Sequence, residues 1–183
     1  MFSRTKLLAI FGAAFMLPLL IAVANPEALS GTSVLAAEKK QPKYKDVKTR
    51  KRQSVGGKCA KALEKVQVVL EEENWPESLK MLNGIEASAK TCASDYEQTQ
   101  IWKFKGYIYY SLDDFPRAIR SYRKVIDGVG TPLELALDTR YTVAQLYTVE
   151  EQYGKAAIEL EIWMDAANII GGDARVLLAQ IYY

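Results

Sequence analysis

The sequence contains no histidine at any of its 183 positions. This absence removes the most common general base, the most common ligand of zinc and iron, and every catalytic group that pairs serine or cysteine with histidine. Cys59 and Cys92 are the only cysteines, so there is no Cys-x-x-Cys redox motif and no third thiolate for a metal. The adjacent carboxylates Asp113 and Asp114 fit helix capping better than catalysis. We expect no enzyme activity, no metal and no cofactor.

The small net charge of +2 conceals two oppositely charged regions. Residues 59–183 contain 13 Lys or Arg against 19 Asp or Glu, whereas residues 38–58 contain 9 against 2. The basic stretch has almost no apolar content, which predicts a flexible linker over residues 37–58. Two interpretations stay open: attachment to an anionic surface such as membrane headgroups, cell-wall polymers or an acidic partner, and a solvated spacer.

The N-terminus has the pattern of a secretory signal over residues 1–36. Arg4 and Lys6 precede an uncharged apolar run over residues 7–24. Cleavage could follow Ala24 or Ala36, and we favour the second. An uncleaved membrane anchor is the alternative, because the run approaches the ~20 residues that span a bilayer. Export predicts a periplasmic location and argues against a nucleic-acid partner.

One apolar pattern occurs three times in the acidic region. A large aromatic residue is followed by a small residue three positions later and by large apolar residues at four and seven positions beyond that. The three copies are Trp75, Ser78, Leu82, Ile85; Phe115, Ala118, Tyr122, Val125; and Tyr153, Ala156, Leu160, Trp163. This spacing predicts one face of a helix, and its recurrence predicts a helical solenoid.

A second pattern precedes each copy and keeps the same register. Nine positions before each leading aromatic stands Val66, Gly106 or Ala144, and three positions later stands Val69, Tyr109 or Tyr147. Together the patterns resemble the tetratricopeptide repeat superfamily over residues 59–183, most specifically in the second repeat. The resemblance implies an all-α, right-handed superhelix (an α-solenoid) of antiparallel helix pairs, with three repeats and the first helix of a fourth. Its signature residues are Trp102, Gly106, Tyr109, Ala118, Tyr122, Ala144, Tyr147 and Ala156.

The repeat register also places the two cysteines. Cys59 opens the first helix of the first repeat, and Cys92 follows its second helix. In an antiparallel pair these points lie at the same end, so we predict a disulfide, with two free thiols as the alternative.

The last segment begins another first helix, in which Ala179 and Tyr182 match Gly106 and Tyr109. A solenoid normally ends in a helix with a polar outer face, whereas this one is apolar and aromatic. We expect either that the chain is a fragment of a longer repeat protein, which we favour, or that this end docks on another chain.

The register also predicts a concave wall built from the first helices. Its eight residues, the predicted wall, are Lys103, Tyr107, Tyr110, Tyr141, Gln145, Thr148, Gln180 and Tyr183. Tyrosine offers large contact area and a hydroxyl for orientation, so the set predicts binding of a peptide or helix of a protein partner. The alternative is that several of these tyrosines only pack against the next repeat.

A narrower resemblance rests on segments 48–50, 106–114, 144–147, 163–165 and 169–171. These look like the exported repeat proteins of gamma-proteobacteria that accompany TonB energy-transduction systems. The resemblance implies a periplasmic accessory of inner-membrane motor proteins that power outer-membrane uptake. A scaffold for outer-membrane or cell-wall assembly, without a TonB link, is the alternative.

Overall fold

The computed structural model describes residues 42–45, 53–88 and 90–183, and the structural statements below concern this part of the chain. It contains seven α-helices and no strand, so the prediction of an all-α protein is confirmed. The helices are α1 Gly57–Glu71, α2 Trp75–Ala87, α3 Asp95–Ser111, α4 Phe115–Asp127, α5 Leu133–Val149, α6 Tyr153–Ala166 and α7 Gly172–Tyr182. The predicted signal peptide lies outside the described residues. Within them, no helix is both long and apolar enough to cross a bilayer.

Three short turns of the same geometry join α1 to α2, α3 to α4 and α5 to α6. Each contains one non-glycine residue with a positive φ, at Glu73 (54°), Asp113 (56°) and Glu151 (57°). In the second turn, the N–H of Asp113 donates to the Tyr110 carbonyl at 3.0 Å and the next N–H donates to the Tyr109 carbonyl at 2.8 Å. The other two turns make the equivalent bonds. This is the Schellman ending of a helix, repeated in step with the sequence pattern.

Side chains in two of these turns begin the following helix. The carboxylate of Asp114 accepts a hydrogen bond from the backbone N–H of Arg117 at 3.0 Å, and the amide oxygen of Asn74 accepts one from Glu77 at 3.3 Å. A proline follows the first residue of both helices, where a missing N–H costs no intrahelical bond. Asp114 is therefore a cap, as the sequence predicts.

The core consists of hydrophobic clusters arranged in chain order. Each helix packs against the next along the chain, and α5 also contacts α7. One cluster joins α1, α2 and α3, a second joins α4 and α5, and a third joins α5, α6 and α7. The small residues of the repeat pattern lie at these contacts, because Ser78, Ala118 and Ala156 are fully buried.

Gly106 shows why a small residue is needed in α3. A Cβ added at this position would lie 2.5 Å from the ring of Tyr122 on α4, closer than real Cβ contacts allow. At the equivalent positions, Val66 shares a buried cluster with Leu82, and Ala144 shares one with Leu160. Tyr122, the largest of the three partners, therefore packs against glycine, the smallest of the three residues.

The disulfide that the sequence predicts, between Cys59 and Cys92, is present. The two Cα atoms are 4.8 Å apart, and both residues are fully buried. The bond attaches the start of α1 to the loop before α3. Glu97 adds a second attachment, because its carboxylate accepts from the N–H of Gly56 at 2.8 Å and from that of Ser94 at 2.9 Å.

The structure differs from the predicted flexible linker at two places. The first helix begins at Gly57, inside the linker range. Residues 42–45 lie against the helical body, where Tyr44 is only 1% exposed. A charge count over the whole stretch hides this contact, because a single aromatic ring can bury itself between exposed lysines.

Candidate functional site

An extended segment of the basic region lies along the C-terminal end of α6. We call residues 42–45 the basic strap. The N–H of Lys45 donates to the Ala166 carbonyl at 2.7 Å, and the N–H of Asn168 donates to the Lys43 carbonyl at 3.1 Å. These two bonds form an antiparallel bridge that pairs Tyr44 with Ala167. The Asn168 side chain also donates to the Pro42 carbonyl at 2.5 Å.

The end of α6 supplies acceptors that a helix cannot satisfy alone. The last carbonyls of a helix have no partner in the following turn, and they carry the negative end of the helix dipole. Here the strap donates to two of them: the Lys45 amide reaches Ala166, and the Lys45 ammonium reaches the Asp165 carbonyl at 3.1 Å. The segment therefore completes the hydrogen bonding of the helix end while it brings a cation to the negative pole.

Tyr44 is the buried centre of the contact. Its ring meets that of Trp163 edge-on, with 6.5 Å between centroids and an interplanar angle of 87°. Its hydroxyl accepts a hydrogen bond from Trp163 Nε1 at 2.9 Å and donates one to the carboxylate of Asp138. Burial raises the pKa of Tyr44 above its ordinary value, and the hydrogen bond to Asp138 raises it further. The hydroxyl thus stays protonated and uses both its donor and its acceptor.

Acidic groups on α5 face the basic strap. Lys43 Nζ lies 2.6 Å from Asp138 Oδ1, and Glu134 also acts electrostatically on Tyr44. On α3, burial lowers the pKa of Lys103, while the negative charge of Asp138 acts in the opposite direction. Asp138 therefore interacts both with the basic strap and with Lys103 of the predicted wall.

The strap meets the predicted wall at α5. Asp138 precedes Tyr141 by three positions, and Gln145 and Thr148 follow at helical spacing. Residues so spaced share one face of a helix. We call the site formed by Asp138, Tyr141, Trp163 and residues 166–168 the strap cleft.

The three wall tyrosines whose packing is defined each contact another aromatic ring. Tyr107 lies 6.1 Å from Trp75, Tyr110 lies 6.1 Å from Phe115, and Tyr141 lies 4.7 Å from Trp163, as measured between centroids. All three are half-buried and border the hydrophobic clusters. The packing role that the sequence left as an alternative is therefore present at each of them, and each also keeps exposed surface.

The other wall residues differ in exposure. Lys103, Gln145 and Thr148 are half-buried, and the Thr148 hydroxyl donates to the Ala144 carbonyl at 2.9 Å. Gln180 and Tyr183 are exposed at the end of α7. The structure thus places Tyr141 in the strap cleft, puts Gln145 and Thr148 further along the same face of α5, and leaves Gln180 and Tyr183 in solvent.

Ion pairs with one buried partner join different helices and were missed by the sequence interpretation. The carboxylate of Glu159 on α6 is buried and accepts from Arg123 on α4 and Arg140 on α5. Lys105 on α3 is likewise buried and paired with Glu86 on α2. Each pair joins different helices, so no local spacing in the sequence indicates it.

Apart from Tyr141, which belongs to the predicted wall, the residues of the strap cleft were also missed as a site. The one available signal was Tyr44, which is the only aromatic residue between positions 38 and 58. Asp138 carries no motif, and Trp163 belongs to the repeat pattern as a packing residue. Their meeting depends on tertiary structure.

The described residues define an all-α protein in which an N-terminal extended segment is docked on the third helix pair. No family model matches the chain, and comparison with curated proteins gives no match. In the described ranges, no cluster of three or more metal-ligating side chains is present. The geometry of the strap cleft and of the predicted wall therefore carries the functional argument.

Proposed function

We propose that this chain is a non-enzymatic scaffold for protein interactions, built as a tetratricopeptide-like solenoid. In this proposal the helix pairs are antiparallel and stack into a right-handed superhelix. Three features support it: the Schellman turns at Glu73, Asp113 and Glu151 recur at the sequence period, consecutive helices pack together, and α5 contacts α7. Stacked helix pairs create extended concave surfaces, which repeat proteins use for binding.

The basic strap is the observation that carries the proposal. An extended segment is held by backbone hydrogen bonds, by one buried aromatic side chain and by flanking charges. These are the elements by which domains recognise extended peptides, with the backbone supplying affinity and the buried side chain supplying specificity. A surface that holds a segment of its own chain in this way has the chemistry to hold a peptide of another protein.

The cellular setting of the proposal comes from the sequence. Arg4, Lys6 and the apolar run after them support export to the periplasm. The resemblance to exported repeat proteins supports a role as an accessory of a TonB-dependent energy-transduction system. The partner in this role is an inner-membrane component of that system, and the remaining basic linker would contact an anionic surface.

Site-specific photo-crosslinking in cells tests the wall as a binding surface. The probe replaces Tyr107 on α3 or Gln145 on α5, and the matched control replaces Arg120, an exposed residue of α4. We expect a discrete adduct with a TonB-system protein from either wall position and none from Arg120.

The protein found in the adduct distinguishes a role in a TonB system from a role in outer-membrane or cell-wall assembly. Adducts with outer-membrane or cell-wall assembly proteins alone would replace the TonB setting by the assembly scaffold and leave the wall as the binding surface. Absence of any wall adduct in a folded, exported protein would contradict the scaffold function.

A further inference from the structure

The contacts that hold the basic strap in the strap cleft could equally be made by a peptide from another protein. Resting on the proposed scaffold function, we propose that the strap cleft binds an extended peptide of a partner protein with a tyrosine between two lysines or arginines. The strap is then a ligand in cis, which must leave before the partner segment enters.

The cleft selects tyrosine through its two polar groups. Trp163 Nε1 donates to the hydroxyl at 2.9 Å, and Asp138 accepts from it. A phenylalanine would fill the same apolar space but leave both groups without this partner. Trp163 is buried, so its unpaired N–H would disfavour phenylalanine, whereas the half-exposed Asp138 would keep its contact with Lys43.

The flanking positions select positive charge. In an extended chain the residues on either side of a buried one point the other way. Accordingly Lys43 and Lys45 are exposed while Tyr44 is buried. Lys43 reaches Asp138, and Lys45 reaches the carbonyl of Asp165 at the negative end of α6. A neutral or acidic peptide would lose both contacts.

The backbone contacts do not depend on sequence and suit an exchangeable ligand. The amide of Lys45 and the carbonyl of Lys43 make the two bridge bonds, and any extended residue could supply the same groups. A ligand on the same chain competes at an effective concentration on the order of millimolar. A peptide in trans therefore binds weakly while the strap is in place and gains affinity when the strap is weakened.

A fluorescence anisotropy titration on the full chain tests this competition. The probe is a labelled synthetic peptide with the sequence of residues 38–50, and its control carries alanine in place of the tyrosine. The proteins are the unaltered chain, Tyr44→Ala, and the double variant Lys43→Glu/Lys45→Glu. We expect the tyrosine probe to bind Tyr44→Ala at least about tenfold more tightly than the unaltered chain. The alanine probe should show no such gain.

A fourth protein places the binding in the cleft. Adding Asp138→Asn to Tyr44→Ala removes the carboxylate that meets both the lysine and the tyrosine hydroxyl. We expect this addition to weaken probe binding by about tenfold, which is within the range for a lost charged hydrogen bond. Equal affinity of the tyrosine and alanine probes, or no binding to a folded Tyr44→Ala, would overturn the proposal.

The double lysine variant keeps the test decisive if Tyr44→Ala does not fold by circular dichroism. Both lysines are exposed, so their replacement leaves the buried ring in place. We expect severalfold tighter probe binding to this variant than to the unaltered chain, and equal binding would contradict the proposal. A negative titration with intact wall crosslinks would overturn the strap cleft as a peptide site and leave the scaffold function in place. Absence of the wall crosslinks would contradict the scaffold function as well.

Discussion

Trp163 Nε1 donates a hydrogen bond to the hydroxyl of Tyr44 across 2.9 Å, although the two residues are 119 positions apart. The contact attaches the basic region before α1 to the helix pair at the other end of the described chain. Among the described residues it is the only hydrogen bond of the Trp163 indole N–H, so replacing Tyr44 should leave that N–H without its partner.

Truncation of Tyr44 tests how strongly the strap is held. We expect Tyr44→Ala to lower the free energy of unfolding by about 3 kcal/mol, because a buried ring leaves the cluster around Trp163. Tyr44→Phe, the matched control, should cost about 1 kcal/mol, because it removes only the hydroxyl bonds. Urea unfolding gives both values, and equal stability of the three proteins would contradict a buried, hydrogen-bonded Tyr44.

The same residue predicts a loss of stability at alkaline pH. Burial and Asp138 raise the pKa of Tyr44 above its ordinary 10.0, so the folded state favours the protonated hydroxyl. Its contribution is fully present below pH 10 and is lost as the pH rises from there towards the folded-state pKa. We expect the stability difference between the unaltered chain and Tyr44→Phe to shrink above pH 10. A difference that stays constant over about one pH unit above 10 would argue against the raised pKa.

Replacing Gly106 by alanine should lower stability, although this substitution in a helix usually raises it. Alanine is favoured over glycine in a helix by about 1 kcal/mol, yet Gly106→Ala should lower stability by about 1–3 kcal/mol because its Cβ meets the Tyr122 ring. The matched control is Gly84→Ala on α2, where nothing lies within 4 Å of the added Cβ. This control should raise stability by about 0.5–1 kcal/mol.

A double-mutant cycle assigns the effect of Gly106→Ala to its neighbour. In the Tyr122→Leu background, the same substitution should cost at least about 1 kcal/mol less, because leucine already shares a cluster with alanine or valine at the equivalent positions of the sequence pattern. Thermal unfolding of the four proteins measures the coupling. Additive effects would show that the ring does not limit the size of residue 106.

Glu97 predicts a loss of stability in acid. The backbone hydrogen bond from Ser94 is the largest cause that lowers the pKa of Glu97 below its ordinary 4.5, and Gly56 contributes another. Stability from this carboxylate is present above about pH 4.5 and is lost as the pH falls through the lower folded-state pKa. We expect Glu97→Gln to cost about 1 kcal/mol at pH 7 and less at pH 3. A cost independent of pH would contradict the depressed pKa.

Local patterns predicted the parts of the fold that depend on neighbouring residues. The helical spacing of Ala118, Tyr122 and Val125 indicated a buried face, and that face is buried. The register placed Cys59 and Cys92 at one end of a helix pair, which the disulfide requires. Both inferences need only helix geometry and the order of elements along the chain.

The strap cleft could not be predicted in this way. The composition of residues 38–58 indicated a solvated chain, and an average over charges gives no weight to one tyrosine. Tyr44, Asp138 and Trp163 meet only after α5 and α6 have packed together. The same holds for Glu159, whose two arginine partners lie on other helices.

The most direct test of the account is the indole N–H spectrum of the ¹⁵N-labelled full chain. Three tryptophans give three indole signals. We predict that Tyr44→Phe shifts the Trp163 signal and speeds its exchange with water, while the signals of Trp75 and Trp102 stay in place. A nuclear Overhauser contact between the Trp163 indole proton and the Tyr44 ring should accompany this in the unaltered chain. An unshifted Trp163 signal without that contact would contradict a strap bound in the cleft.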